Sequence, residues 1–148
     1  MSKMVKRTIE IDDDLDERIS TIKEEILDDF IDYLEDNKET KCWDDYYQDR
    51  GADLMHEIVD SNTPIYYADI DALFYLYGSE FEEALKNAGV DTPTEDYKTI
   101  AIYYYLEEKG HAYLNELEDQ FSSLIDEGKT IKEIIKVLKE DWENEKKG

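Results

Sequence analysis

The sequence has few of the residues that cross-link chains, bind metals or interrupt helices. Its 148 residues include one cysteine, two histidines, two prolines and six glycines. The single cysteine, Cys42, excludes an internal disulfide and has no second thiol with which to share a metal, which favours a reducing compartment. We find no apolar run of about 18 residues and no charged-then-apolar leader, so we expect neither a membrane span nor a signal peptide. The sequence therefore predicts a cytoplasmic protein that does not attach to membranes.

Motifs of catalysis and of cofactor binding are also lacking. The chain has no glycine-rich phosphate loop and no serine or cysteine flanked as a nucleophile. His56 and His111 form no zinc-hydrolase pattern, and histidines among apolar neighbours are more often packing or boundary residues. Residues 12–16 imitate the opening of an EF-hand loop, but Glu17 stands where that loop requires glycine. We expect no enzyme, no bound metal and no cofactor.

Positive charge is scarce, and the deficit lies in the middle of the chain. Asp and Glu number 40 against 17 Lys and Arg, which gives a net charge of -23. Residues 1–7 carry +3, residues 8–127 hold 35 acidic and 8 basic side chains, and residues 128–148 hold 5 acidic and 6 basic. Self-repulsion of this size destabilises a compact state, so we expect the field of the central part to serve a function.

Apolar residues are numerous enough to build a core. They make up 41% of the chain, and the aromatics include 12 tyrosines. This composition predicts a folded protein, and a chain of this length forms one domain that buries roughly two-thirds of the surface exposed by its unfolded form. The periodicity predicts an all-α domain over residues 1–148, a compact bundle of about five to six helices.

The first half of the chain predicts an arm, a long helix and a loop. Residues 4–11 are β-branched and alternating, so we expect a short strand or an extended arm over residues 1–11. A helix then follows to about Asp36, with Asp12 or Asp13 as its N-cap. Its apolar stripe consists of Leu15, Ile19, Ile22, Ile26, Phe30 and Tyr33. A polar loop over residues 37–49 is expected to be held in place by Trp43, Tyr46 and Tyr47.

Two shorter helices and a further short one are predicted next. A helix over residues 50–60 ends before Pro64, because proline disfavours helix at the preceding residue. A helix over residues 66–77 follows, and Ser79 with Glu82 forms a capping-box pattern for a short helix that stops at Gly89.

The last third of the chain predicts two more helices. Thr92, Pro93 and Glu95 give the clearest start signal, since they supply an N-cap, a proline at the first helical position and a glutamate two positions later. The long helix that follows has an apolar stripe of Ile102, Leu106, Gly110, Tyr113, Leu117, Phe121 and Leu124, and it ends at Gly128. Gly110 lies on the packing face, which indicates a close helix approach. Thr130 and Glu133 cap a near-neutral C-terminal helix within residues 129–148.

One face of the first long helix is the main candidate site. Between Glu10 and Asp36 there are 13 acidic and 2 basic residues. Opposite the apolar stripe lie Asp13, Glu17, Glu24, Asp28 and Glu35. A face built for solubility usually has lysine four residues after glutamate, and that pattern is missing here. Ile31 lies on the same side and is not explained.

The carboxylate spacing favours a substitute for nucleic-acid phosphates. Steps of four residues are about 6 Å along a helix, close to the spacing of successive phosphates on one DNA strand. The net -27 of residues 8–127 matches the charge on roughly 46 Å of duplex, or about 13 base pairs. A solvated helix face is the alternative interpretation.

The opening residues Lys6 to Asp12 resemble the strand and first helix of ribbon-helix-helix regulators. Those proteins need a break after one short helix and a basic strand surface that grips phosphates. Here the helical pattern continues for some 25 residues and the field would repel DNA, so we expect no direct binding of nucleic acid.

Residues 54–70 are similar to a segment of the Ocr-like anti-restriction proteins of phages, which mimic DNA. The similarity rests on His56, Asp60, Pro64, Tyr66, Tyr67, Ala68, Asp69 and Ile70 at the same relative spacing. It implies an all-helical phage protein that blocks DNA-dependent defence enzymes of the host cytoplasm, as a homodimer. Only Asp60 and Asp69 correspond to it as acids. The chain departs from the family at its end, where the family has an acidic tail.

Two hypotheses for function follow. In the first, the acidic face occupies the groove of a basic DNA-binding host protein, such as a restriction or CRISPR effector, with Asp60, Asp69, Glu116 and Asp119 extending it. In the second, the chain is an acidic adaptor that docks through its aromatic loop, residues 43–47, or through its last helix, and its charge serves solubility.

Overall fold

The computed structural model describes the backbone of residues 2–90 and 97–147 and the side chains of residues 15–90 and 97–145. Within these residues the chain is an all-α bundle without strands, as the periodicity predicted. The elements are α1 (Ser2–Asp36), α2 (Trp43–Tyr46), a π-helical turn (Tyr47–Gly51), α3 (Ala52–Asn62), α4 (Tyr67–Asn87), α5 (Tyr97–Asp126) and α6 (Ile131–Lys147).

The helix α1 begins earlier than the sequence indicates. Residues 4–11, expected as a strand or an extended arm, are helical, and Asp12 and Asp13 lie inside α1 and are not its N-cap. An alternation of eight residues is too short to separate strand from helix, and extending an existing helix adds one hydrogen bond for each residue fixed. The continuous helix also lacks the break of a ribbon-helix-helix protein. The predicted end at Asp36 is confirmed.

The core is organised around the buried side of α1. Leu15, Ile22, Ile26, Phe30 and Tyr33 of the predicted stripe are buried, while Ile19 is partly buried. The Phe30 ring lies 5.0 Å from the Trp43 ring, 4.8 Å from Tyr46 and 5.3 Å from Phe121, measured between centroids. Edge-to-face and tilted aromatic pairs of this kind add to the stabilisation from burial. Trp43 and Tyr46 therefore hold the segment in place as predicted.

The segment expected as a loop is helical from Trp43 onward. The tertiary contacts explain this difference, because Asp29 of α1 accepts hydrogen bonds from the Tyr46 hydroxyl at 3.0 Å and from Arg50. The π-helical turn widens the helix where Gly51 passes the Tyr46 ring. A Cβ atom at Gly51 would lie 2.9 Å from Tyr46 Cε2, so only glycine fits without a shift. Sequence periodicity contains no signal for such a contact.

The α4 helix joins two helices that the sequence separated. It runs through Ser79, with a kink at Tyr77 where the backbone dihedrals are -127° and 20°. The stop at Gly89 is confirmed, since its φ is 79°. Its N–H donates to Lys86 O at 3.0 Å, as in a left-handed C-cap. The start signal at residues 92–95 lies outside the described residues.

The structure confirms the predicted packing face of α5 and the predicted N-terminal capping box of α6. Every residue of the predicted α5 stripe is buried. A Cβ atom at Gly110 would lie 3.0 Å from Met55 Sδ, so α3 and α5 approach closely at this point. At the start of α6, the Thr130 N–H donates to Glu133 Oε1 at 3.0 Å and the Glu133 N–H donates to Thr130 Oγ1 at 3.2 Å. The Thr130 N–H and, at 3.0 Å, the Thr130 hydroxyl both donate to the Glu133 carboxylate, and these two hydrogen bonds lower the pKa of Glu133.

We predict that Gly51→Ala destabilises the fold. The new Cβ would meet the Tyr46 ring, and overpacking of this kind costs about 1–3 kcal/mol. Gly78→Ala is the matched control, because its Cβ would lie 3.6 Å from Phe74 Cδ1, which is ordinary contact. Since alanine favours helix by up to about 1 kcal/mol, this control should be neutral or stabilising. Urea unfolding measures both variants, and equal midpoints would contradict the close contact.

A second prediction concerns alkaline pH. Burial raises the pKa of Tyr46 and of Tyr113 above 10.0, and at Tyr113 nearby carboxylates, Glu145 first, raise it further. Because the folded pKa exceeds the unfolded one, the neutral phenols stabilise the fold fully below pH 10.0, and this stability is lost as the pH rises above that value. Above pH 10.0 each such phenol lowers the free energy of unfolding by at most about 1.4 kcal/mol for each pH unit.

Tyr113→Phe should therefore weaken the dependence of the free energy of unfolding on alkaline pH. Tyr75→Phe, at a side chain that is 89% exposed, should leave that dependence unchanged. Urea titrations at several pH values between about 8 and 11 measure the slope. A Tyr113→Phe slope identical to that of the unaltered protein would show that the Tyr113 phenol is not held neutral by the fold.

Candidate partner-binding surface

The helix α6 lies alongside α1 and runs in the opposite direction. Lys139 Nζ lies 3.9 Å from Glu35 Oε1, and Lys23 Nζ lies 3.9 Å from Glu145 Oε1. Residue numbers thus increase along α6 from 139 to 145 while those of the contacted residues on α1 decrease from 35 to 23, so the two helices are antiparallel. Ile31, which the sequence left unexplained, is only 5% exposed and lies in the groove between these two helices. The acidic side of α1 is thus partly covered by α6.

An open groove separates α1 from α6 and carries three of the predicted carboxylates. Its α1 side consists of Glu24, Leu27, Asp28, Ile31, Asp32 and Glu35, and its α6 side of Lys139, Trp142 and Glu143. The structure therefore brings Glu24, Asp28 and Glu35 together, with Asp32 added to them.

A second groove lies on the other side of α6, between α6 and α5. It contains the predicted Glu116 and Asp119 of α5, together with Asp141 and Glu145 of α6. Leu27 and Trp142 line both grooves, so the two sets of carboxylates flank the same stretch of α6.

We call the carboxylates of the two grooves the acidic surface. Its members are Glu24, Asp28, Asp32, Glu35, Glu116, Asp119, Asp141, Glu143 and Glu145. The cations Lys23 and Lys139 lie beside them and form the two long ion pairs described above. Exposed pairs of this kind contribute about 0–1 kcal/mol, so they neutralise the surface only weakly. The surface combines closely spaced negative charge with partly buried apolar walls.

The remaining predicted residues lie elsewhere. Glu17 is exposed on α1, nearly two turns before Glu24. Asp60 is exposed near the end of α3 and Asp69 near the start of α4, on either side of the turn between these helices. Asp60 and Asp69 line neither groove. The predicted extension of the acidic face therefore divides into two separate places, one at Asp60 and Asp69 and the other at Glu116 and Asp119 of α5. The side chain of Asp13 lies outside the described residues.

The carboxylates of α6 are the part of the site that sequence reasoning missed. Residues 128–148 are near-neutral on average, which concealed an uneven distribution within the helix. Residues 129–139 contain four lysines and one glutamate, whereas residues 140–145 contain four acids and no base. Three of these four acids, Asp141, Glu143 and Glu145, line the two grooves. Counting charge per helical turn would have found this signal.

Asp29 does not belong to the acidic surface, although it lies within the acidic run of α1. Its carboxylate is occupied by the Tyr46 hydroxyl and by Arg50, and only 15% of its side chain is exposed. Carboxylates of α1 therefore have two roles, since some face the solvent and Asp29 holds the segment after Asp36 against the bundle.

The aromatic residues expected to form a docking loop are unsuited to that role. Trp43 and Tyr46 are buried in the core, and Tyr47 packs against it. Trp43 and Tyr46 lie in α2 and Tyr47 begins the π-helical turn, and this helical backbone turns the three side chains inward, which the loop interpretation did not anticipate. The exposed large apolar side chains of the described residues are instead Ile65, Tyr66, Tyr67 and Tyr75.

Both histidines lie at the boundary of the bundle, beside one carboxylate. His56 Nδ1 lies 3.5 Å from Glu107 Oε2 and 3.1 Å from the Tyr103 hydroxyl, while His111 Nε2 lies 3.8 Å from Glu107 Oε1. Among the side chains that the structure describes, those of residues 15–90 and 97–145, no group of three or more histidine, cysteine or acidic residues is arranged to hold a metal ion. Over the same residues, no helix combines the length and the apolar character needed to cross a membrane.

The chain was compared with protein-family models, with curated proteins and with solved structures. None of the three comparisons gives a match.

Proposed function

We propose that the protein binds a basic DNA-binding protein and that its acidic surface takes the place of DNA phosphates in the partner's groove. The observation that carries this proposal is the convergence of nine carboxylates from α1, α5 and α6 on the two sides of one helix, with Lys23 and Lys139 beside them. A face that serves only solubility would mix both signs of charge. Here like charges are gathered at the cost of mutual repulsion.

The spacing of these carboxylates is compatible with a duplex. Glu24 and Asp28 are separated by four residues and Asp28 and Glu35 by seven, which correspond to about 6 Å and 10.5 Å along α1. The row on α1 and the row on α5 lie on the two sides of α6, and a helix with its side chains is about 10–12 Å across. A spacing of that order between the two rows would match the width of the DNA major groove, about 12 Å.

The mechanism is competitive occupancy. Lysine and arginine side chains that line a DNA-binding groove would pair with the carboxylates, and the bound ions released from both surfaces would favour association at low salt. The similarity of residues 54–70 to an Ocr-like segment makes restriction and CRISPR effectors the first partners to test. The proposal requires no catalytic residue and no cofactor.

We predict that this binding depends on the acidic surface and not on charge in general. The test variant combines Glu24→Gln, Asp28→Asn, Glu35→Gln and Glu116→Gln. The control removes four exposed carboxylates away from the surface, through Asp53→Asn, Glu57→Gln, Glu82→Gln and Glu83→Gln. Both variants have the same net charge. Loss of several close charge pairs should weaken affinity at least tenfold in the test variant and roughly threefold or less in the control.

The measurement begins with capture of DNA-binding proteins from a bacterial extract on the immobilised chain. Each captured protein is then purified and titrated against the chain, with duplex DNA as competitor and at increasing salt. We expect duplex DNA to displace the chain and salt to weaken binding. Binding that is indifferent to both, or equal losses in the two variants, would reject the proposal in favour of an adaptor whose charge serves solubility.

Thermal unfolding is the folding control for these variants. Removing four like charges from the acidic surface should leave the melting temperature unchanged or raise it at low salt, because repulsion falls. The difference should shrink as salt screens the remaining charge. A variant that binds weakly while melting at a higher temperature has lost a contact and has kept its fold.

A further inference from the structure

A cluster of exposed apolar side chains lies outside the acidic surface. We call Ile65, Tyr66, Tyr67 and Tyr75 the tyrosine patch, and their exposed fractions are 77%, 69%, 79% and 89%. All four fall within eleven consecutive residues at the turn between α3 and α4 and on the first half of α4. Isolated exposed apolar side chains are ordinary, but a local cluster of aromatics indicates a binding surface.

The residues of the tyrosine patch are not core residues left exposed by incomplete packing. The buried side of α4 is already supplied by Ile70, Leu73 and Phe81. Tyr75 lies about 140° from Ile70 and about 160° from Leu73 around the helix axis at 100° per residue, so it faces away from the core. Tyr67 is the first residue of α4 and is exposed where the helix begins.

The turn that carries the patch is held rigidly. The Thr63 hydroxyl donates to Val59 O at 2.8 Å, and Arg18 Nη1 donates to Asn62 O at 2.7 Å. After the turn, the N–H groups of Asp69 and Ile70 both donate to Tyr66 O, at 3.1 and 3.0 Å. A binding surface that is already ordered loses little conformational entropy when a partner docks.

The surrounding charge selects the chemistry of the partner. Asp60, Asp69 and Asp71 are exposed next to the patch, and Asp71 accepts from Lys98 Nζ at 3.2 Å. A second copy of this chain would bring the same carboxylates, and another net charge of -23, against them. Anionic lipid would be repelled in the same way. A basic protein surface that carries apolar side chains is complementary in both respects.

We propose that the tyrosine patch is an apolar anchor for a basic protein partner. This inference rests on the proposed function, since the partner is the protein that the acidic surface recognises. The hydrogen bond from Arg18 to Asn62 joins the turn that precedes the patch to α1 at residue 18, and the α1 part of the acidic surface spans residues 24–35. The distance from residue 18 to residue 35 is about 26 Å along α1, and a partner that contacts both surfaces would reach around roughly 100° of that helix.

The two surfaces would contribute differently to affinity. Carboxylate contacts weaken as salt rises, whereas burial of tyrosine rings does not depend on release of counterions. Tyrosine also combines a large apolar area with a hydroxyl that is able to form a hydrogen bond at the rim of an interface. The patch therefore supplies the part of the binding that persists at high salt.

The test uses two cationic peptides of equal charge and length as probes. One carries leucines every three or four residues among lysines, which is the spacing of a helix face, and the other has serine at each leucine position. We expect the protein to prefer the leucine peptide. Tyr66→Ser with Tyr67→Ser should reduce that affinity at least tenfold, leave the slope of log K against log salt unchanged and leave the serine peptide unaffected.

Two further variants make the result specific. Tyr66→Phe with Tyr67→Phe keeps the rings and should retain most of the preference for leucine. The four-site variant of the acidic surface should reduce the salt slope for both peptides while keeping that preference. A variant that loses only the salt slope would thus test the proposed function of the acidic surface. A variant that loses only the preference for leucine would test the role of the tyrosine patch.

Three results would overturn the inference. The first is equal affinity of the protein for the two peptides. The second is a dimer in sedimentation that the Tyr66→Ser, Tyr67→Ser variant fails to form, which would make a second copy the occupant. The third is flotation with phosphatidylcholine vesicles that the same variant loses, which would make the occupant a lipid surface.

Discussion

The packing of α1 within the bundle is the constraint on which the other helices depend. Its Phe30 ring contacts Trp43 and Tyr46 of α2 and Phe121 of α5, so one side chain joins α1 to two other helices. Asp29, the residue before it, binds the Tyr46 hydroxyl and Arg50. The same helix turns Glu24, Asp28 and Glu35 toward the solvent. Core packing and the candidate site are thus set by the rotation of a single helix about its axis.

Several local signals in the sequence were confirmed by the structure. The cap at Thr130, the left-handed Gly89 and the close approach at Gly110 each depend on a few neighbouring atoms or on a missing Cβ. The errors have other causes. The π-helical turn before Gly51 depends on Asp29 and Tyr46, and the start of α1 depends on helix propagation, which overrides a short alternation.

The candidate site was predicted in part for the same reason. Helical spacing was enough to place Glu24, Asp28 and Glu35 on one side of α1. Nothing in the spacing shows that α6 crosses that side, so its contribution of Asp141, Glu143 and Glu145 required the tertiary structure. Likewise, the aromatic residues 43–47 looked accessible because a polar loop was expected, while burial in the core reverses that interpretation.

The position of α6 also couples stability to charge. A helix of 17 residues is marginal by itself, and this one is held by the burial of Ile134, Leu138 and Trp142. If α6 separated from the bundle in a local opening, Ile31 would lose its cover and three of the nine carboxylates would leave the acidic surface together. Partial unfolding of this protein would consequently dismantle its electrostatic pattern before it exposed the centre of the core.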